Sequence, residues 1–111
     1  MSKVLNLNAG EFEREVLKSN LPVLVDFWAP LCGSCRMMAP VLEELSAAMD
    51  GKIKVAKVDT EVPENQNLAI IYQIQSIPNM KLFKDGKIIG EFIGLRDLET
   101  IKSEIEVIVK K

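Results

Sequence analysis

The sequence predicts an α/β fold: a mixed central β-sheet with helices on both faces, in the element order βαβαβαββα. Residues 21–28, LPVLVDFW, form an almost unbroken apolar run with β-branched residues, the signature of a strand buried on both faces. Directly after it the apolar period changes, with Met38, Leu42, Leu45 and Met49 recurring every three or four residues as on a helix. Near the C-terminus, NMKLFKDGKIIGEFIG is two alternating runs joined through Asp85-Gly86, a strong hairpin signal.

The elements follow in order. The short alternating segment KVLNLN suggests an edge strand, and Asn8 then caps a helix that turns Phe12, Val16 and Leu17 to one side. The LPVLVDFW strand leads into the helix beginning at Cys32, which Pro40 is expected to kink. KIKVAKVD reads as the next strand and PENQNLAIIYQI as a short helix with Pro63 near its start. The hairpin follows. Asp97 caps a last helix whose Leu98, Ile101, Ile105 and Ile108 form an apolar stripe. The early strands imply parallel crossover units, and the hairpin adds antiparallel strands to the same sheet. Phe12, Phe27, Phe83 and Phe92 are assigned to the sheet faces, Met37 and Met38 to helix surface and packing. The Glu43-Glu44 pair and the charges of KSEIEVIVKK are read as solvated helix faces.

At 111 residues the chain suits one domain, residues 1–111. A hydrophobic fraction of 48% supplies a core, and 27% charged residues keep it soluble. The net charge of −2 comes without any basic block, which argues against nucleic acid and against an anionic membrane as partners. The start, MSKVLNLNAGEFE, shows neither an apolar h-region nor a small-residue cleavage site. A cytoplasmic location is therefore expected. In such a compartment a pair of thiols is more often catalytic or metal-binding than a structural disulfide.

The chain has two cysteines, Cys32 and Cys35, and no histidine. They fall where the buried strand ends and a helix begins. Residues three apart on a helix share a face with Cβ atoms roughly 5–6 Å apart, close enough for the pair to be held oxidised or reduced. Cys32, at the helix N-terminus, meets unsatisfied N–H groups and the positive end of the dipole, which favour thiolate. Gly33 lets a partner backbone approach. Structural zinc needs about four N or S ligands, so metal binding would need a second chain. Cys–His nucleophilic catalysis has no histidine to use. Dithiol–disulfide chemistry is the reading the spacing favours.

The set VDFWAP, CGSCR with Pro40 five residues after Cys35, KVD, SIPN and FIG resembles the thioredoxin family, in its order and over essentially the whole chain. The resemblance implies a thioredoxin-like fold and a protein-disulfide reductase. Cys32 is then the nucleophile that attacks a substrate disulfide, and Cys35 resolves the mixed disulfide. No bound cofactor is implied beyond the redox-active disulfide Cys32–Cys35. Asp26, a carboxylate inside an apolar strand, is either a strand-edge acid reaching solvent or a buried acid with a raised pKa that takes the proton of Cys35. Lys57 matches a lysine said to tune that acid, and is otherwise a snorkelling strand lysine. Pro78 matches the family's cis-proline. Ile77 before it would offer backbone groups to an extended substrate, and Trp28, Leu31, Gly33, Ile93 and Gly94 would complete the groove.

The sequence departs from the family pattern at four places. Ser34 stands where proline is common, Leu31 where tryptophan is frequent, Asn79 where threonine is usual, and Gln73 where glycine often lies. A Ser34 hydroxyl donating to the Cys32 thiolate would make a weaker reductant. With no GxGxxG element in the chain, electrons must come from outside. The implied partners are a thioredoxin reductase, NADPH- or ferredoxin-linked, and disulfide-containing proteins, with the chain itself a monomer. The alternatives are a thiol oxidase or isomerase, and a non-catalytic binding subunit of the same fold.

Overall fold

The computed structural model describes residues 3–110. β1 (Val4–Asn6) is followed by α1 (Ala9–Phe12), which runs on as a π-helical turn over Glu13–Leu17. β2 (Val23–Trp28), α2 (Gly33–Ala48) and β3 (Lys54–Asp59) come next. A 3₁₀ turn, Pro63–Asn65, then leads into α3 (Gln66–Ile71). β4 (Asn79–Lys84), β5 (Lys87–Ile93) and α4 (Leu98–Val109) complete the chain. The expected order is observed, and Lys111 of the C-terminal charge run lies outside the described residues.

The strands form one sheet in the order β1-β3-β2-β4-β5. β1 and β2 flank β3 in parallel, β4 is antiparallel to β2, and β5 is antiparallel to β4. β1 is the edge strand its short alternating sequence implied. β2 is central, so its two faces are both covered, and that is why its sequence lacks alternation. Val23, Val25 and Phe27 pack with Phe12, Val16 and Phe83 on one side. Leu24 packs on the other with Met38, Leu42, Leu45, Ile101 and Ile105 from α2 and α4. Phe92 belongs to this second layer, so all four phenylalanines are in the core.

Local chemistry sets the element ends. Asp97 accepts a hydrogen bond from the Thr100 N–H at 2.8 Å and starts α4. Glu11 reaches back to the Asn8 N–H at 3.0 Å, closing the first turn of α1. Asp85 and Gly86 both have positive φ, 52° and 78°, the pair of values a two-residue type I′ hairpin needs. α2 continues through Pro40 from Gly33 to Ala48.

β1 spans only Val4–Asn6 of its expected segment, and the boundaries of three more elements differ from the sequence reading. β2 begins at Val23, because Ser19 Oγ bonds the Leu21 N–H and carbonyl and holds that residue in a turn. β3 begins at Lys54, because Lys52 and Ile53 bond back to the Met49 carbonyl. α3 stops at Ile71, and Gln73 two residues on takes a φ of 54°.

Candidate active site

The chain leaves β2 at Trp28 and turns within four residues. The Cys32 N–H donates to the Ala29 carbonyl at 3.1 Å, and Arg36 braces the same turn through Nη1 to the Pro30 carbonyl at 3.1 Å. Cys32 is the N-cap of α2, in extended conformation. Its sulfur accepts the Cys35 N–H at 3.1 Å, one of the orphan donors of the first helical turn. Cys32 and Cys35 form a disulfide with a Cα–Cα distance of 5.2 Å. Cys32 is partly exposed and Cys35 is buried. A Cβ built on Gly33 meets nothing within 4 Å, so the turn is open to an approaching chain.

Two groups converge on the Cys32 sulfur. Ser34 Oγ lies 3.5 Å away and the Ile77 carbonyl oxygen 3.9 Å away. The second contact joins residues 45 apart. It exists because β4 runs antiparallel to β2, with Asn79 opposite Phe27, which brings the start of β4 to the end of β2. Pro78 is buried there, and the Ile77–Pro78 peptide is cis. The Gly94 N–H donates to the Pro78 carbonyl at 2.9 Å, with φ of +90° at Gly94. Only glycine adopts that backbone without strain.

Asp26 is fully buried, and neither carboxylate oxygen has a hydrogen-bond partner among the described residues. In β2 it shares a face with Leu24 and stands opposite Met80, both members of the layer packed by α2 and α4. Burial pushes its pKa up to about 7, with the charge of Lys57 opposing that rise. The strand-edge, solvent-reaching reading of Asp26 is thereby replaced by a buried one. Lys57 is directly opposite Asp26 in the β2–β3 ladder, and its ammonium lies 4.2 Å from the centroid of the Trp28 ring. Trp28 is partly exposed, so it is not plain core.

The structure thus brings Cys32, Cys35, Ser34 and Ile77 together, Pro78 with Gly94, and Asp26 with Lys57 and Trp28. Leu31 protrudes, 94% exposed, and Ile93 is 48% exposed. Arg36 was not singled out from the sequence, although its place four residues after Cys32 puts it on the same helix stripe. Among the described residues no group of three His, Cys, Asp or Glu side chains could hold a metal.

The thioredoxin family model matches residues 3–107. The chain belongs to the thioredoxin family. It is 45% identical to a thioredoxin of Synechocystis sp., over 96% of this chain and 97% of that protein. It is 43% identical to a thioredoxin of Haemophilus influenzae over 85% and 86% of the two chains. To a thioredoxin of Mycolicibacterium smegmatis it is 45% identical over 94% and 93%. With the Cys32–Cys35 disulfide in a CxxC spacing, this family member is a protein-disulfide oxidoreductase that works by thiol–disulfide exchange. Among the described residues no helix is long and apolar enough to cross a membrane.

Proposed function

We propose that the chain reduces protein disulfides with Cys32 as the attacking thiolate. The observation that carries this is the asymmetry of the pair: the Cys32 sulfur is partly exposed and held by the Cys35 N–H, while Cys35 is buried. The Cys32 thiolate attacks one sulfur of a substrate disulfide. A Cys32–substrate S–S bond forms, the substrate S–S bond breaks, and one substrate thiolate leaves. Cys35 then loses its proton to the Asp26 carboxylate and attacks the Cys32 sulfur. The Cys32–Cys35 bond forms and the second substrate thiolate leaves, so two electrons pass to the substrate.

An acid with a pKa of about 7 is matched to that proton transfer, since it can both accept and return a proton near neutral pH. Lys57 sets how much of Asp26 is ionised. Ile77, Pro78, Ile93 and Gly94 with Trp28, Leu31 and Gly33 form the groove in which an extended substrate segment lies, paired to exposed backbone. Electrons return from a thioredoxin reductase, with NADPH or ferredoxin as their source, and the chain acts as a monomer in the cytoplasm as a single domain. Support comes from the thioredoxins it matches along nearly their whole length.

The test is capture. Cys35→Ser should accumulate mixed disulfides through Cys32, and Cys32→Ser should accumulate none. Equal trapping by both variants would remove the assignment.

One observation favours a second reading, an oxidant or isomerase. The Ser34 hydroxyl beside Cys32 stabilises the thiolate and so the reduced form. A reduction potential near or below about −220 to −320 mV fits a reductase, and one nearer about −120 to −180 mV fits the second reading.

A further inference from the structure

Beside the disulfide turn, α2 and the chain that follows β5 enclose an open apolar pocket of about 380 Å³, lined by Met37, Val41, Leu95, Arg96 and Asp97. One wall runs along α2 from the cysteine turn, and the other leaves β5 at Gly94, whose N–H donates to the Pro78 carbonyl. Gly33, Met37 and Val41 recur at every fourth residue and form one stripe along α2. On the other side, Ile93 and Gly94 continue directly into Leu95 and Arg96. A protein disulfide must bring a sulfur to bonding distance of Cys32, so the surface around Cys32 is a substrate contact by necessity. Along α2 the pocket begins about one turn beyond that contact.

The chemistry of the occupant follows from which groups are already engaged. Arg96 donates from Nε to Glu104 at 2.9 Å and from Nη1 to the Ile93 carbonyl at 2.9 Å. Asp97 is held by the Thr100 N–H as the cap of α4. Met37 and Leu95, in contrast, are 61% and 46% exposed. What the pocket offers a ligand is apolar surface, with space equal to roughly a dozen waters at about 30 Å³ each. Distance along α2 fixes the spacing. Met37 and Val41 lie about 6 and 12 Å beyond Gly33 at 1.5 Å per residue, and an extended chain advances about 3.3 Å per residue.

We propose that this pocket is a specificity subsite for a large apolar side chain, such as Phe, Leu or Met, carried by the protein substrate two to four residues from the cysteine that Cys32 attacks. The inference rests on the assignment of Cys32 as nucleophile.

The experiment uses disulfide-linked peptide pairs with Phe or Ser placed two, three or four residues to either side of the attacked cysteine. The chain is kept reduced with dithiothreitol, and oxidised glutathione serves as a small disulfide that cannot reach the pocket. The native protein should show kcat/KM about tenfold higher for a Phe peptide than for its Ser counterpart, a ratio ordinary for an apolar pocket. In the double variant Met37→Gln, Leu95→Gln the preference should fall below twofold, with the glutathione rate unchanged. No Phe preference in the native protein, or a preference that survives the double change, would overturn the subsite. A parallel fall in the glutathione rate would place the two residues in the exchange centre and overturn it as well. Self-association that the double variant abolishes, without a peptide preference, would put a second copy there instead. Failure of Cys32 as nucleophile reads differently: Cys35→Ser would then trap none of these peptides.

Discussion

Asp26 and Lys57 stand directly across from each other in the parallel ladder of β2 and β3, one sealed from water and the other partly exposed beside Trp28. A carboxyl and an ammonium so placed would ordinarily ionise together. Here desolvation outweighs the attraction, and the acid stays half-protonated near pH 7.

Stability should therefore fall as the solution becomes alkaline. In the unfolded chain Asp26 ionises near 3.8, but in the fold near 7. Between those values the folded state holds more protons, so the contribution of Asp26 is fully present below about pH 4 and is lost as pH rises through about 7. At about 1.4 kcal/mol per pH unit the loss approaches roughly 4 kcal/mol. Urea unfolding at pH 5 and pH 8 checks this, with Asp26→Asn expected to flatten the difference. A native protein equally stable at both values would contradict it.

Removing the opposing charge should move the acid further. Lys57→Met is expected to raise the Asp26 pKa by about 1, read from the carboxyl carbon by NMR titration. The pH midpoint of Cys35-dependent exchange should move upward with it. If the carboxyl midpoint stays put, Lys57 does not tune Asp26.

Ser34→Pro should make a stronger reductant. A hydroxyl 3.5 Å from the Cys32 sulfur stabilises a partly exposed thiolate by about 1 kcal/mol. For a two-electron couple that is on the order of 20 mV. Equilibration with glutathione buffers should show the potential lowered by that much, and an unchanged or raised value would count against the contact.

Asn65 is a structural counterpart to these residues. Fully buried, it accepts the Ala9 N–H at 2.8 Å and donates to the Asp59 carbonyl at 3.0 Å, tying the start of α1 to the end of β3. Asn65→Ala should destabilise by about 2–3 kcal/mol, since it strands buried polar groups. Denaturant unfolding measures this, and the reduction potential should not move.

The strands, helices and caps were legible in the sequence because each depends on local pattern: the flat hydrophobicity of β2, the Asp85-Gly86 turn, the carboxylate before α4. The cysteine pair and the odd acid at Asp26 were legible for a different reason, being out of place among their neighbours. Lys81 shows where pattern fails. In NMKLFK it alternates like a solvent-facing residue, yet it is buried and ion-paired to Glu91, because β4 lies between β2 and β5 with both faces covered. The role of Asn65 was equally invisible, and the cis state of Ile77–Pro78 was expected from the family resemblance alone. Both depend on partners brought in from distant parts of the chain.

The pairing of Phe27 with Asn79 carries a consequence for biosynthesis. Both cysteines, Asp26 and Lys57 belong to the first 57 residues, but the carbonyl that faces Cys32 belongs to Ile77. A chain still growing, or one cut before β4, owns its thiols without the Ile77 carbonyl that faces Cys32. The full set of groups around Cys32 is thus assembled only when the second half of the molecule has docked.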